Sequence, residues 1–248
     1  FHLRLRETRD FELPQGKYEV FKDNPLENLE AFIHKINKKG ILGGCVVYLG
    51  LATDCFIGFD KKFDLVTSIL EIFNRYQAGC LIVQTRQPII LSVIHLIKSI
   101  ADRALVIIPI ETKSERILAQ LLPGYPKIQD RIATANSLRQ QGIKVGLSAS
   151  PVLPYGSHAS DLWDYANLLV NNSDYINFSS ITLNVSSRSS EFRQNPLVKR
   201  LIHMNSGEFL RMGSFIDLQT AVTKLSPEKL VFPINIEPVG KQIEMFAA

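Results

Sequence analysis

The sequence predicts an α/β chain whose parallel strands form an open, partial (β/α)6 barrel of TIM-like type, followed by a C-terminal extension. Three observations carry this. Short, nearly continuous apolar runs recur along the chain, stretches with helical apolar spacing fall between them, and no glycine-rich phosphate loop follows any run. Buried runs alternating with amphipathic helices imply parallel strands joined by crossover helices. The missing phosphate loop argues against a dinucleotide-binding or P-loop sheet. Six units fall short of the eight that close a barrel, so the expected sheet is open.

The first unit starts with Lys17–Lys22, which alternates like a strand. Asn24-Pro25-Leu26-Glu27 then offers an N-cap, a proline at the first helical position and a glutamate to complete a capping box. The helix it opens runs to about Lys38, with Leu26, Leu29, Ile33 and Ile36 on one side, and stops at Gly40. Cys45–Gly50 reads as a buried strand, and Phe63–Tyr76 as a helix presenting Leu65, Ile69, Ile72, Phe73 and Tyr76. Strand Cys80–Thr85 precedes a helix over Ile89–Ala101. Strand Ala104–Ile110 precedes a longer connection with a Pro-Gly-Tyr-Pro turn at 123–126 and a helix over Gln129–Gln141, closed by Gly142. Strand Lys144–Ala149, a helix over Asp161–Val170 and a strand over Tyr175–Ile181 complete the series. The pattern changes near Ser186. Residues 1–185 are expected to form the barrel and 186–248 an extension with short helices near Gln194–His203 and Asp217–Leu225.

Composition narrows the class. The 248 residues are 46% hydrophobic and 21% charged, enough to bury a sizeable core. No apolar stretch reaches the 18 residues of a membrane span, and residues 1–10 lack the apolar centre of a signal peptide. A net charge of +4 permits a nucleic-acid partner without requiring one. Three cysteines, an odd number, argue for a reducing, cytoplasmic setting. The spacings of Cys45, Cys55 and Cys80 match no zinc or iron–sulfur pattern.

Ligands of parallel barrels sit at the C-terminal strand ends, where the loops share one mouth. Those ends read Thr53-Asp54, Thr85-Arg86, Glu111-Thr112, Ser148–Pro154 and Ser179-Ser180. The blocks Gly50-Leu-Ala-Thr-Asp-Cys, Ile82-Val-Gln-Thr-Arg, Gln129 to Gly146 and Ser150-Pro-Val-Leu-Pro-Tyr-Gly, in this order, resemble radical S-adenosylmethionine (SAM) proteins of the spore photoproduct lyase type. The likeness spans roughly residues 17–185. It implies that Thr53 and Asp54 meet the methionyl end of SAM, with Asp54 answering its ammonium. It also implies that Thr85 and Arg86 occupy the family's Thr-Lys position, with Arg86 pairing the methionyl carboxylate, and that Glu111 falls at a polar ribose contact. From the residues alone, Asp54 equally suits a turn cap, Arg86 a solvated rim, and Glu111 a surface pair with Lys113 or Arg116. Arg131 reads better as an interhelical or helix-to-loop ion pair than as a catalytic group. His158, after the Pro-Tyr-Gly loop, is a lesser candidate for substrate contact.

The resemblance further implies a [4Fe-4S] cluster, reductive cleavage of SAM to a 5′-deoxyadenosyl radical, an electron donor such as flavodoxin or ferredoxin, and a nucleic-acid substrate. Here the sequence departs from the pattern. The family's C-x3-C-x2-C loop belongs between Phe1 and Tyr18, where no cysteine stands. Leu51 occupies the place of the family's hydrogen-donating cysteine, leaving Cys55 as a weak catalytic candidate, and Pro109 replaces a cofactor-contacting serine. The competing reading is a cluster-free fold that binds nucleic acid or serves in an assembly. That reading would use Lys35, Lys38, Lys39, Lys61, Lys62, Lys199, Arg200 and Arg211 as a phosphate-contacting face.

Overall fold

In a computed structural model the chain is described over residues 24–51, 54–56, 59–181 and 190–234. The expected first strand, Lys17–Lys22, lies outside them. Five strands follow: β1 (Val46–Leu49), β2 (Cys80–Gln84), β3 (Ala104–Pro109), β4 (Lys144–Ala149) and β5 (Tyr175–Phe178). All pair in parallel, in the order β1-β2-β3-β4-β5. Spatial order that follows chain order, with no reversal, belongs to a singly wound partial barrel; a doubly wound sheet would switch direction from its middle.

The helices before and between the strands are α1 (Pro25–Lys38), α2 (Phe59–Arg75), α3 (Ile94–Lys98), α4 (Glu115–Leu121), α5 (Ile128–Gln140) and α6 (Ala159–Asn171). Strand alternation separates the two faces of the sheet. Val47, Leu81, Val83, Val106, Ile108, Val145, Leu147 and Ile176 pack with Ile33, Leu70, Leu138 and Leu169 of the helices in the main core. On the opposite, inner face, Cys80, Ile82, Leu105 and Ile107 pack with Ile234, Tyr175 and Phe232.

Several elements differ from the expectation. Asn24 precedes α1 with φ 47° and makes no side-chain cap, so the capping box does not form, although Pro25 opens the helix. The Ile89–Ala101 segment is a 3-10 helix (Pro88–Val93) running into the short α3. Ile90, Val93, Ile97 and Ile100 are all buried, at spacings of three and four. The three-residue steps suit a 3-10 turn, and the β-branched residues crowd an α-helix. Helix α4 is an addition to the expected elements. Its signal is Ser114, whose Oγ accepts from the Ile117 N–H as an N-cap, ahead of buried Ile117, Leu118 and Leu121.

Beyond the sheet, the helix expected at Gln194–His203 is two helices, α7 (Ser190–Gln194) and α8 (Pro196–His203), because Pro196 cannot continue a helix. Helix α9 (Ile216–Leu225) follows, close to the expected bounds. It buries Leu218, Ala221 and Val222 in the main core with Tyr165, Ala166 and Leu169 of α6. After it, the Lys229 ammonium donates to the Val170 carbonyl and to the Ser173 carbonyl, the latter at 2.7 Å, satisfying the C-terminal end of α6. Lys144 Nζ donates to the Pro233 carbonyl at 2.8 Å. Among the described residues no helix is long and apolar enough to cross a membrane.

Candidate functional site

The C-terminal ends of β1, β2 and β3 place Asp54, Thr85, Arg86 and Glu111 together. Gly50 makes the crossing after β1 feasible: its φ is 89°, and a Cβ there would stand 2.2 Å from the Gln84 carbonyl oxygen. Asp54, 7% exposed, then reaches over the end of β2. Its Oδ1 accepts from the Phe56 N–H (3.1 Å) and the Thr85 hydroxyl (2.7 Å), and its Oδ2 from the Arg86 N–H (2.8 Å). Thr85 Oγ1 in turn accepts from the Gln87 N–H at 3.0 Å. Asp54 therefore ties two strand ends together and caps the turn at Phe56. Among the described residues its carboxylate accepts three hydrogen bonds.

Arg86 turns from Asp54 to Glu111. Its Nε and Nη2 lie 2.8 and 2.7 Å from Glu111 Oε1. Glu111 Oε2 accepts from Arg131 Nη1 at 2.8 Å. Both the Glu111 and the Arg131 side chains are fully buried, whereas that of Arg86 keeps 20% exposure at the mouth. Arg131 also donates to the Pro109 and Pro126 carbonyls, both at 2.9 Å, while its Nη2 has no hydrogen-bond partner among the described residues. Glu111 thus serves two guanidiniums in the interior; the alternative surface pair with Lys113 or Arg116 is not what forms. Lys113 instead pairs with Asp161 (2.7 Å) and Asp164 (3.1 Å) of α6. Arg131 is the helix-to-loop ion pair that its place in the sequence suggests.

Tyr125 joins the site without having been singled out by the sequence. The Pro-Gly-Tyr-Pro turn lays its ring 4.8 Å from the Arg86 guanidinium and 5.8 Å from that of Arg131. An open cleft of about 550 Å3 lies beside it, lined among others by Leu118, Leu122, Tyr125 and Lys127. Beneath the network, Thr112 Oγ1 donates to the Pro154 carbonyl (2.6 Å), and the Leu153 N–H to the Glu111 carbonyl (2.8 Å). The loop after β4 is drawn across the mouth in this way.

Thr53 lies outside the described residues, as does the 1–18 stretch expected to hold a cluster loop. His158 is exposed and precedes α6, its N–H donating to Asp161 at 2.9 Å. The three cysteines are free. Cys45 and Cys80 adjoin at the N-terminal end of the sheet, where the Cys80 N–H donates to the Cys45 carbonyl. Cys55 sits at the opposite end, near Gly50. Burial, aided by the Asp54 charge, pushes the Cys55 thiol up to about 12, so it is protonated at neutral pH. Among the described residues no three metal-ligating groups converge, and these cysteines do not fit a [4Fe-4S] cluster.

No family model matches the chain, and no curated protein matches it. Solved structures do. Spore photoproduct lyase complexed with dinucleoside spore photoproduct superposes with a TM-score of 0.50 at 16% identity, over 71% of this chain and 51% of that one. A spore photoproduct lyase mutant with bound AdoMet and dinucleoside spore photoproduct gives the same values. Streptococcus suis SuiB bound to S-adenosylmethionine superposes with a TM-score of 0.50 at 15% identity, over 76% of this chain and 43% of that one. The chain spans about half the length of these proteins. It shares their fold, an open partial barrel of parallel strands.

Proposed function

We propose that the chain binds S-adenosylmethionine at the mouth of its partial barrel, as part of a radical SAM enzyme related to spore photoproduct lyase. The observation that carries this is the convergence of Asp54, Thr85, Arg86 and Glu111 at one end of a parallel sheet whose fold is shared with AdoMet-bound structures. Arg86 keeps an exposed edge while Glu111 and Tyr125 hold it, and so presents a fixed cation to the methionyl carboxylate. Asp54 accepts from the methionyl ammonium, Thr85 fixes its carboxylate, and Thr53 is a further contact to the methionyl end. Glu111, fully buried with both oxygens engaged, acts by holding Arg86 in place and does not itself reach the ribose that the resemblance implies for it. A [4Fe-4S] cluster would supply the electron that cleaves bound SAM to methionine and a 5′-deoxyadenosyl radical. The cysteines of this sequence do not make that cluster, so none of this chain's own residues is assigned as a cluster ligand. Cys55, a protonated thiol next to Asp54, is the candidate hydrogen-atom donor. A nucleic-acid substrate and a flavodoxin- or ferredoxin-type donor complete the proposal.

Titration of the chain with SAM, wild type beside Arg86→Met, tests it. Saturable binding weakened at least about tenfold by the substitution is expected, from the loss of a charge-assisted pair. No binding by the wild type, or equal binding by both, refutes it. The cysteine arrangement favours a second reading, a cluster-free member that binds nucleic acid through its lysines and arginines. Single-stranded DNA affinity that falls steeply with salt, in protein that binds no SAM, would establish that reading instead.

A further inference from the structure

At the N-terminal end of the sheet, opposite the mouth, a cleft of about 410 Å3 is lined by Arg139, Gly142, Ile143, Lys144, Asp174 and Pro233. Its cations are fixed in place. Arg139, in the last turn of α5, donates through Nε to Asp174 Oδ1 (3.1 Å) and through Nη1 to the Asn171 carbonyl (3.3 Å). Asp174 Oδ2 accepts from the Val145 N–H at 2.9 Å. Lys144, the first residue of β4, is held by the Pro233 carbonyl. Among the described residues these bonds use two of the five N–H donors of Arg139 and one of the three on Lys144. The Arg139 and Asp174 side chains keep 31% and 33% exposure, so solvent reaches the pair. Gly142, between the two cations in the chain, leaves open space: a Cβ there would meet nothing within 4 Å. Lys229, fastened to the end of α6, shares the same field. Burial, then the Arg139 charge, holds its ammonium below the usual range, against the pull of Asp174 and Glu228.

The charges here do not balance. Among the described residues Asp174 is the one carboxylate lining the cleft, and both of its oxygens are committed; Glu228 lies exposed beside Lys229. Cations gathered in excess attract an anion, and cations already fixed lose little freedom on binding it. An arginine fork beside a lysine ammonium suits a phosphoryl group, which offers several acceptor oxygens and a charge of about −1.5 to −2 at neutral pH. A carboxylate would bring half that charge and fewer acceptors. We infer that the N-terminal end of the barrel carries an oxyanion site, in which Arg139 and Lys144 take the phosphoryl group of a small ligand. The site stands apart from the Asp54–Arg86 network and does not depend on SAM binding there. The phosphoryl group arrives either as the free ion or on a larger molecule.

The test compares melting midpoints of the full chain in about 10 mM sodium phosphate and in sodium chloride of equal ionic strength. Wild type should melt about 3 °C higher in phosphate, as a ligand well above its dissociation constant requires. Lys144→Met removes one cation and the tie to Pro233, so its midpoint falls in both salts, but the phosphate increment should vanish. Phosphate also stabilises proteins generally through exclusion from their surfaces, and the comparison with K144M subtracts that effect. Lys144→Arg keeps the charge and should keep the increment. Asp174→Asn removes the competing carboxylate and should tighten phosphate binding at least about threefold in calorimetric titration, while lowering the midpoint in chloride. Thymidine 5′-monophosphate separates the two sources: a larger increment than inorganic phosphate gives means that the group arrives on a larger molecule, and an equal or smaller one means that the free ion is the ligand. No phosphate increment in wild type, or one of equal size in K144M, overturns the inference. Wild-type protein that fails to bind SAM yet shows the increment removes the cofactor reading and leaves this site standing.

Discussion

Replacing Glu111 with glutamine probes the network that holds Arg86. The carboxylate of Glu111 lies 2.7–2.8 Å from nitrogens of both Arg86 and Arg131. It is the only carboxylate paired with the Arg131 guanidinium among the described residues, and Arg131 is fully buried with one nitrogen already unpartnered. The substituted amide would still accept hydrogen bonds, but it would leave a cation in the interior with no compensating charge. Breaking one side of a buried pair costs about 3–5 kcal/mol, and the retained amide acceptor points to the lower end, about 3 kcal/mol. For a chain of this size that lowers the melting midpoint by about 6–12 °C. Circular dichroism melts of E111Q, R131M and the double variant form a cycle. Removing the stranded cation as well should make the double variant at least about 1 kcal/mol more stable than the sum of the two single losses. An E111Q protein within about 0.5 kcal/mol of wild type, the usual span of an inconsequential substitution, or strictly additive losses, would refute this account.

Three further outcomes follow from the site. Asp54→Asn turns an acceptor of the Arg86 N–H into a donor, or strands the Thr85 hydroxyl if the amide rotates; a loss of about 1–3 kcal/mol in chemical denaturation is expected, with weaker SAM binding. Iodoacetamide at mildly alkaline pH should label Cys45 well before Cys55 or Cys80, whose thiols burial pushes up to about 12, and rapid Cys55 labelling would contradict the structure. Lys113, together with the His158 N–H, holds the Asp161 carboxyl below its usual range, and Asp161 holds Lys113 above its own. A carboxyl depressed in the folded state contributes stability above its unfolded pKa and loses it as pH falls through the folded one. A raised ammonium loses its contribution only as pH climbs through its folded value. Lys113→Met should therefore melt below wild type at neutral pH, and the gap should close in acid below the ordinary carboxylate range.

The sheet is legible in the sequence because its signal is redundant. Each of the five described strands announces itself as an apolar run, and the sequential parallel order follows from the helix between each pair. The collar of polar residues is legible for the same reason: Asp54, Thr85, Arg86 and Glu111 are what stands where the apolar runs stop. What those residues do to one another is not. Nothing local distinguishes a glutamate bound for the surface from one bound for the interior. Glu111 is drawn inward by Arg131, twenty residues on, and by Arg86, twenty-five residues back. Tyr125 stays hidden because a Pro-Gly-Tyr-Pro segment states that the chain turns, not what the turn covers. The 3-10 segment at Pro88–Val93 escapes because its apolar spacing fits two helix types.

Gly50 has one more effect. Arg86 is attached through its own backbone N–H to a carboxylate carried by the strand next door, and that attachment exists only while the first loop can pass beneath it. Any side chain larger than hydrogen at position 50 would push β1 away from β2. The C-terminal ends of the two strands would then come apart while the centre of the sheet stayed intact. Losing that hydrogen atom would leave a protein that is folded by every bulk measure and yet has lost the tie between Asp54 and Arg86.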